Sequence, residues 1–253
     1  MPQFSIITIV RNDRAGLART AESVAAQTCR DFEWLIADGA STDGTAEFAL
    51  GLNDAQTAAV SKPDRGIYDA MNSGIDRARG DYLLFLNAGD IFTRAETLQI
   101  VAARLGGGDI DFLYGDSLEA FAGGRQVYKA AQGHERVGYG MFACHQSMYF
   151  RRSLIGDLRY DTGLRVSGDY AFAADILKRQ PRIVRLHEAL SIFDLSGISI
   201  VNRRRGRQEN WRVQRDVLGL SLPRRVLTRG AYLGTAMLAT QFPWVYKALR
   251  FRK

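Results

Sequence analysis

A chain of 253 residues, 46% of them hydrophobic, can bury a large core; that excludes a disordered polypeptide and fits one large domain, or one domain with an appendage. Its two cysteines, Cys29 and Cys144, lie far apart without metal-ligand spacing, so they read as free thiols in a reducing compartment rather than as a disulfide framework. The net charge of +7 is uneven: residues 199–253 hold 13 Lys/Arg and 2 Asp/Glu, which leaves 21 basic and 25 acidic residues for the rest. A basic tail on a mildly acidic body points to a polyanionic partner, either anionic lipid or nucleic acid.

The chain opens Met-Pro-Gln and enters an apolar strand at Ser5-Ile-Ile-Thr-Ile-Val10, with no basic n-region or cleavage site, so no secretory signal is expected. Further strands are predicted at 33–37, 58–61, 82–86, 111–114 and 146–150. Several are continuous apolar runs, as strands covered on both faces should be. Helical spacing lies between them. Leu17, Ala21, Val24 and Ala25 share one face of 15–27, and Ile67, Ala70, Met71, Gly74, Ile75 and Ala78 share one face of 66–79. Two more helices are predicted at 93–105 and at about 168–179. This alternation predicts an α/β fold with a largely parallel sheet. Gly106-Gly-Gly108, Gly123-Gly124 and Gly138-Tyr-Gly140 mark turns in the middle of the chain.

The tail divides in two. Residues 203–220 predict a basic amphipathic helix, with Arg203, Arg204, Arg205, Arg207, Arg212 and Arg215 set against Trp211, Val217, Leu218 and Leu220. Residues 230–246 carry no charge but are interrupted by Pro243 and fall short of the roughly 20 apolar residues of a spanning helix. Aromatics flanked by arginines suit a segment lying in a membrane interface; the alternative is a helix packed on the domain. The apolar, aromatic neighbourhood of the arginines favours lipid over nucleic acid.

Ligands bind outside the carboxyl ends of strands in open α/β sheets, and carboxylates stand at two such ends. Asp38 closes the strand in Leu35-Ile-Ala-Asp38-Gly-Ala-Ser-Thr-Asp43-Gly-Thr45 and can accept a hydrogen bond from a base or ribose, whereas Asp43 reads as a helix N-cap. Asp90 ends Leu86-Asn-Ala-Gly-Asp90; Mg²⁺ or Mn²⁺ on its oxygens would neutralise a diphosphate, with Asn87 able to add an amide oxygen. Asp90 can equally cap the helix at 93–105. Asp169, in Val166-Ser-Gly-Asp-Tyr170, can deprotonate a sugar hydroxyl if burial raises its pKa, or can simply rest on a helix dipole. His145 and Gln146 begin a strand from which either can reach a donor or acceptor, although a lone histidine is often structural. P-loop, dinucleotide, zinc-protease and serine-hydrolase motifs are absent from the sequence.

Taken together, Ser5–Val10, Glu33–Thr45, Pro63-Asp-Arg-Gly-Ile-Tyr-Asp-Ala-Met-Asn-Ser-Gly-Ile75, Leu84–Asp90, His145-Gln146, Ser167–Tyr170 and Phe193–Ser199 resemble the family 2 glycosyltransferases of GT-A fold. The resemblance is closest to enzymes of colanic-acid-type exopolysaccharide assembly and covers about residues 4–200. It implies a GT-A-type nucleotide-binding domain over 1–200, with a nucleotide-sugar half at 1–115 and an acceptor and catalytic half at 116–200. A basic, aromatic helical tail at 201–253 would follow.

By that resemblance Asp38 contacts the base, and Asp64, Arg65, Asp69, Asn87 and His145 lie at the nucleotide-sugar. Asp90 takes the metal-binding end of the D-x-D motif, and Asp169 is the catalytic base. Asn87 departs from an aspartate common in the family. Gln208-Glu-Asn-Trp-Arg212 departs from the Q-x-x-R-W of processive synthases. The expectation is an inverting, non-processive hexosyltransferase that uses a divalent cation and moves sugar from a nucleotide-diphosphate sugar to a lipid-diphosphate-linked saccharide. It would be cytoplasmic, peripheral to the inner face of the cytoplasmic membrane, on an anionic surface and without nucleic acid. A sugar nucleotidyltransferase and a non-catalytic nucleotide-binding scaffold are the competing readings.

Overall fold

In the computed structural model, residues 1–121, 124–194, 203–242 and 244 are described; side chains at 194, 203 and 231–240 are not. The first seven elements are β1 (Phe4–Val10), α1 (Arg14–Ala25), β2 (Phe32–Asp38), α2 (Thr45–Gly51), β3 (Thr57–Ser61), α3 (Ile67–Arg77) and β4 (Tyr82–Phe85). Then come β5 (Ile91–Phe92), α4 (Thr97–Leu105), β6 (Phe112–Ala120), β7 (Gln126–Lys129) and 3₁₀ turns at His134–Tyr139 and His145–Ser147. β8 (Met148–Arg151), α5 (Arg152–Ile155), α6 (Gly168–Lys178), β9 (Ile183–Asp194), α7 (Arg203–Asp216) and α8 (Leu222–Gln241) complete the chain.

The strands form one sheet in the order β3-β2-β1-β4-β8-β6-β9-β5, with β7 on the outer part of β6. The β1/β2, β2/β3, β1/β4 and β6/β9 ladders are parallel, and the β4/β8, β6/β8, β6/β7 and β5/β9 ladders are antiparallel. Every residue of β1 and β2 is buried, because helices cover both faces and alternate side chains feed separate cores. Ile7, Ile9, Leu35, Leu83 and Phe85 meet Met71 and Ile75 of α3 and Phe172 and Ile176 of α6. Phe4, Ile6, Trp34, Ile36 and Leu84 meet Leu17 of α1, Ala49 of α2 and Leu98 and Val101 of α4 on the other side.

The sequence expectation omits β5, β7, β9 and α5, gives no end for the helix after Asp43 that is α2, and stops β6 at residue 114 although the strand runs to Ala120. β9 mixes Arg185, His187 and Glu188 into its apolar residues, and its register against β6 shifts at Gly115–Ser117, so it shows no clean alternation. Gln146 lies in a turn rather than in a strand.

The predicted basic helix is present as α7, and its inner side packs on the domain. Val213 joins the α3/α6 core, and Gln214 Nε2 donates to the Gly138 carbonyl at 3.0 Å. No helix among the described residues is long and apolar enough to cross a membrane. The expected domain boundary at 200, residues 195–199 of the Phe193–Ser199 block, Gly123 of the Gly123-Gly124 joint and residues 243, 245 and 246 of the uncharged segment lie outside the described residues.

Candidate active site

The carboxyl ends of β1, β2 and β4 carry the site. β2 delivers Asp38 fully buried, and Ser41 N–H donates to its Oδ2 at 3.0 Å while Ser61 Oγ, at the end of β3, donates to the same oxygen at 2.6 Å. A neighbouring loop folds back so that the Asp64 carboxylate leans over Gly39; a Cβ there would fall 2.5 Å from Asp64 Oδ2, and only glycine permits the approach. Asp64 Oδ1 in turn accepts from Gly66 N–H at 2.8 Å, and Gly66 adopts φ +125°. Asp38, Asp64 and Asp69 line one cavity of about 220 Å³ with Lys62, Asn72, Ser73 and Asp76. Arg65 is not on that wall. Its guanidinium hydrogen-bonds Asp69 from solvent at 2.8 Å, which holds the Asp69 carboxyl below its ordinary value. The Asp43 carboxylate accepts from Thr45 N–H at 3.1 Å, but the N-cap of α2 is Gly44, so Asp43 stands one position before the cap it was expected to be.

β4 runs on beside β1 through Leu86 N–H to the Ile7 carbonyl at 2.9 Å and Ala88 N–H to the Ile9 carbonyl at 3.1 Å. The chain then turns at Gly89, φ +93°, and α1 pins the turn: Gly89 N–H donates to Thr20 Oγ1 at 3.0 Å, and Thr20 donates to the Asp90 carbonyl at 2.9 Å. Asp90 is buried and accepts from Gln146 Nε2 at 2.7 Å. It does not cap α4, whose N-cap is Glu96. Asn87 Oδ1 is buried and has no hydrogen-bond partner among the described residues.

Asp169 stands in the first turn of α6, half-buried, with Tyr170 N–H donating to its Oδ1 at 2.8 Å. Burial pushes its pKa up to about 6; the backbone amides of Tyr170 and of Asp169 itself oppose the shift, and the Glu209 carboxylate adds to it. It opens on a second cavity of about 280 Å³, walled by Tyr139, Met141, Arg207, Asn210, Trp211 and Arg229. The guanidinium carbons of Arg225 and Arg229 lie 4.6 and 5.5 Å from the Trp211 ring centroid.

The Asp64–Asn72 segment links the two cavities. Asn72 Nδ2 donates to the Tyr160 carbonyl at 3.0 Å and its Oδ1 accepts from Tyr160 N–H at 2.7 Å. Tyr68 stacks on Tyr160 with centroids 5.5 Å apart, and its hydroxyl accepts from Gly168 N–H at 2.8 Å. His145, expected at the nucleotide-sugar, lines neither cavity. Its ring stacks on Phe85 at 5.0 Å, its Nε2 pairs with Tyr160 Oη at 2.7 Å, and burial lowers its pKa to about 4, so it is neutral at pH 7. Sequence reasoning missed Tyr68 and Glu209 as neighbours of Asp169. Tyr68 lay inside the quoted motif, whereas the only signal for Glu209 was an acid isolated among arginines.

A polar cavity at the carboxyl ends of parallel strands, with a carboxylate of raised pKa at a second cavity, is the arrangement of a ligand-binding α/β enzyme. The chain belongs to glycosyl transferase family 2, whose model matches residues 5–178. A PGL/p-HBAD biosynthesis glycosyltransferase of Mycobacterium bovis is 38% identical over 176 residues, 68% of each chain. An uncharacterised glycosyltransferase of Mycobacterium tuberculosis is 33% identical over 203 residues, 78% of this chain and 77% of that one. Among solved structures, S. aureus TarS in complex with UDP-GlcNAc superposes with a TM-score of 0.70 at 18% identity, over 94% of this chain and 73% of that one. The mannosyltransferase PcManGT of Pyrobaculum calidifontis, in complex with GDP-Man and Mn²⁺, gives 0.67 at 16% identity, over 98% and 83%. The fold is the GT-A fold of these enzymes, and the protein is a glycosyltransferase.

Proposed function

We propose that the enzyme is an inverting, non-processive transferase of the hexosyl type. Its donor would be a nucleotide-diphosphate sugar with the base in the Asp38 cavity. Its acceptor would be a lipid-diphosphate-linked saccharide in bacterial exopolysaccharide or other cell-surface polysaccharide synthesis. The observation that carries this reading is Asp169, at the wall of the second cavity with its pKa raised by burial to about 6. Such a group is ionised at pH 7 yet basic enough to take a proton from a hydroxyl as it attacks. The acceptor oxygen bonds to the anomeric carbon from the face opposite the diphosphate, its proton passes to Asp169, and the sugar–diphosphate C–O bond breaks. Configuration at that carbon inverts.

Asp90 and Asn87 fit a divalent cation, Mn²⁺ or Mg²⁺. Asn87 Oδ1 is a buried acceptor without a partner among the described residues, three positions before a buried carboxylate. Among the described residues no three His, Cys, Asp or Glu side chains gather as a complete metal cage. Mg²⁺-type ions commonly take one or two carboxylates and draw their remaining oxygens from phosphates and water. Bound there, the ion would neutralise charge on the departing diphosphate. Cys144 Sγ donates to Gln146 Oε1 at 2.9 Å, so Gln146 turns its Nε2 to Asp90 and fixes that carboxylate.

Peripheral association with an anionic membrane, on its cytoplasmic face, belongs to the same proposal. In support, Leu222, Val226 and Leu227 are exposed on the same turns of α8 as Arg224 and Arg229, and Phe242 and Trp244 are exposed beyond its end. Apolar and aromatic side chains beside arginines suit the headgroup boundary.

The test is thermal unfolding with UDP, GDP, CDP and dTDP, with and without Mn²⁺, followed by turnover with the sugar conjugate that binds. The proposal expects one nucleotide to raise Tm, a dependence on Mn²⁺ that Asp90→Ala removes, and a product of inverted anomeric configuration by NMR. Asp169→Asn should cut turnover by about 10²–10⁴-fold. A retained configuration, or near-normal turnover of Asp169→Asn, would overturn it.

A further inference from the structure

An acid in the first turn of a helix is normally stabilised as the anion, because the terminal amides and the helix dipole favour negative charge. Asp169 occupies that position on an eleven-residue helix and yet carries a raised pKa. Burial is the main cause, and a carboxylate on α7, Glu209, adds to it. Glu209 is 4% exposed, and its carboxylate takes three consecutive amides of the segment entering α6. Val166 N–H donates at 2.8 Å, Ser167 N–H at 3.0 Å, and Arg165 N–H at 3.1 Å to both oxygens. Ser167 is the N-cap of α6 but its side chain makes no capping bond; the hydroxyl turns to the Gly206 carbonyl of α7 at 3.3 Å. The amide of Gly168 goes to Tyr68.

We propose that Glu209 is a positioning residue for the transfer: by holding the Arg165–Ser167 amides it sets where Asp169 stands and which base it presents to the acceptor. This rests on the reading of Asp169 as the base. Burial works against a charge on Glu209, but hydrogen bonds from Val166, Arg205, Ser167 and Arg165 outweigh it and hold its carboxyl below the ordinary value. Glu209 is therefore a fixed negative charge at the very helix end that Asp169 occupies. It repels the second anion and so adds to the effect of burial on Asp169.

The other charged and titratable groups around Asp169 are few. Tyr68 of α3 and Tyr160 have pKa values raised above their ordinary range, chiefly by burial and then by the Asp169 charge, so both are neutral. Tyr170 is likewise held neutral by burial. Tyr139, Arg207 of α7 and Arg229 of α8 stand on the cavity wall. Arg205 pairs with Glu209 at 2.9 Å from a half-exposed position.

The measurement is the pH profile of kcat/KM for wild type, Glu209→Gln and Arg205→Gln, with Tm and nucleotide-induced Tm shift as companions. The wild-type acid limb should fall near pH 6. In Glu209→Gln it should move down by about half a unit or more as the repelling charge disappears, and kcat should fall at least ~10-fold as the segment loosens. Arg205→Gln unmasks the Glu209 charge and should move the limb up. The nucleotide shift should be unchanged in both, because the Asp38 cavity is built from residues 37–76.

If Glu209→Gln only lowers Tm and leaves the limb in place, the residue is structural and the proposal fails. If that variant does not fold, Arg205→Gln decides: an upward shift supports the proposal and an unmoved limb overturns it. Wild-type turnover in Asp169→Asn would remove the base itself. An inactive Asp169→Asn beside an unmoved Glu209→Gln limb would remove only the role of Glu209.

Discussion

Gln146 donates through Nε2 to Oδ2 of Asp90 across 2.7 Å, with both side chains buried. The amide has one orientation, because Cys144, whose thiol burial pushes up to about 11, remains an S–H donor to its oxygen. Gln146→Leu removes a donor from a buried carboxylate and should cost about 1–3 kcal/mol, or several degrees of Tm. Asp90→Asn in that background should recover part of the loss, because a neutral amide is cheaper to leave short of a partner. Melting curves of the two variants at pH 8 check this, and a wild-type Tm for Gln146→Leu contradicts it.

Asp169 makes stability depend on pH with a definite sign. Its folded pKa, about 6, lies above the ordinary 3.8, so the stability it contributes is full below about 3.8 and lost as pH rises through about 6. Asp169→Asn should therefore melt above wild type at pH 8, and the gap should close toward pH 4. The substitution expected to cut turnover is thus also expected to harden the fold. A variant that melts lower at pH 8 would show that the charge is not strained in the native state.

His145 works in the opposite direction. Burial depresses its folded pKa to about 4 from 6.5, so its contribution is intact above 6.5 and is lost as pH falls toward 4. His145→Phe cannot bind that proton, and the difference in Tm between it and wild type should shift in its favour over this window. It also strands the Tyr160 hydroxyl, so it should be the less stable protein at pH 8. Paired melts from pH 8 to pH 4 separate the two effects.

Gly168 precedes Asp169, the proposed base, and has no room for a side chain. A Cβ there would come within 2.6 Å of the Tyr68 ring, which α3 and Tyr160 hold in place. Gly168→Ala should cost about 1–3 kcal/mol through overpacking and lower kcat more than KM for the donor, because it displaces Asp169 and not the Asp38 cavity. A rise in donor KM with kcat unchanged would count against this.

β1, β2 and β4 were legible because they are buried on both faces, and α1 and α3 because each shows a 3.6-residue stripe. β9 was not, since its charged residues break the alternation and a bulge resets its register. Asp38 and Asp90 were readable as carboxylates at the ends of buried strands. Periodicity could not tell that His145 faces an aromatic stack, because that depends on Phe85 and Tyr160, sixty and fifteen positions away. The arginines of α7 dominated its reading, and Glu209, which the domain grips most firmly, looked like an interruption of them.

The two cavities come from stretches of chain that do not overlap: residues 37–76 wall one, residues 139–229 the other. On the proposed assignment, what the enzyme gives and what it receives are written in separate paragraphs of the sequence. A lineage can then rewrite the second while leaving the first intact, keeping one activated sugar and changing the molecule it decorates. Chimaeras joined between them, near the glycines at 106–108, are where such inheritance should be easiest to imitate.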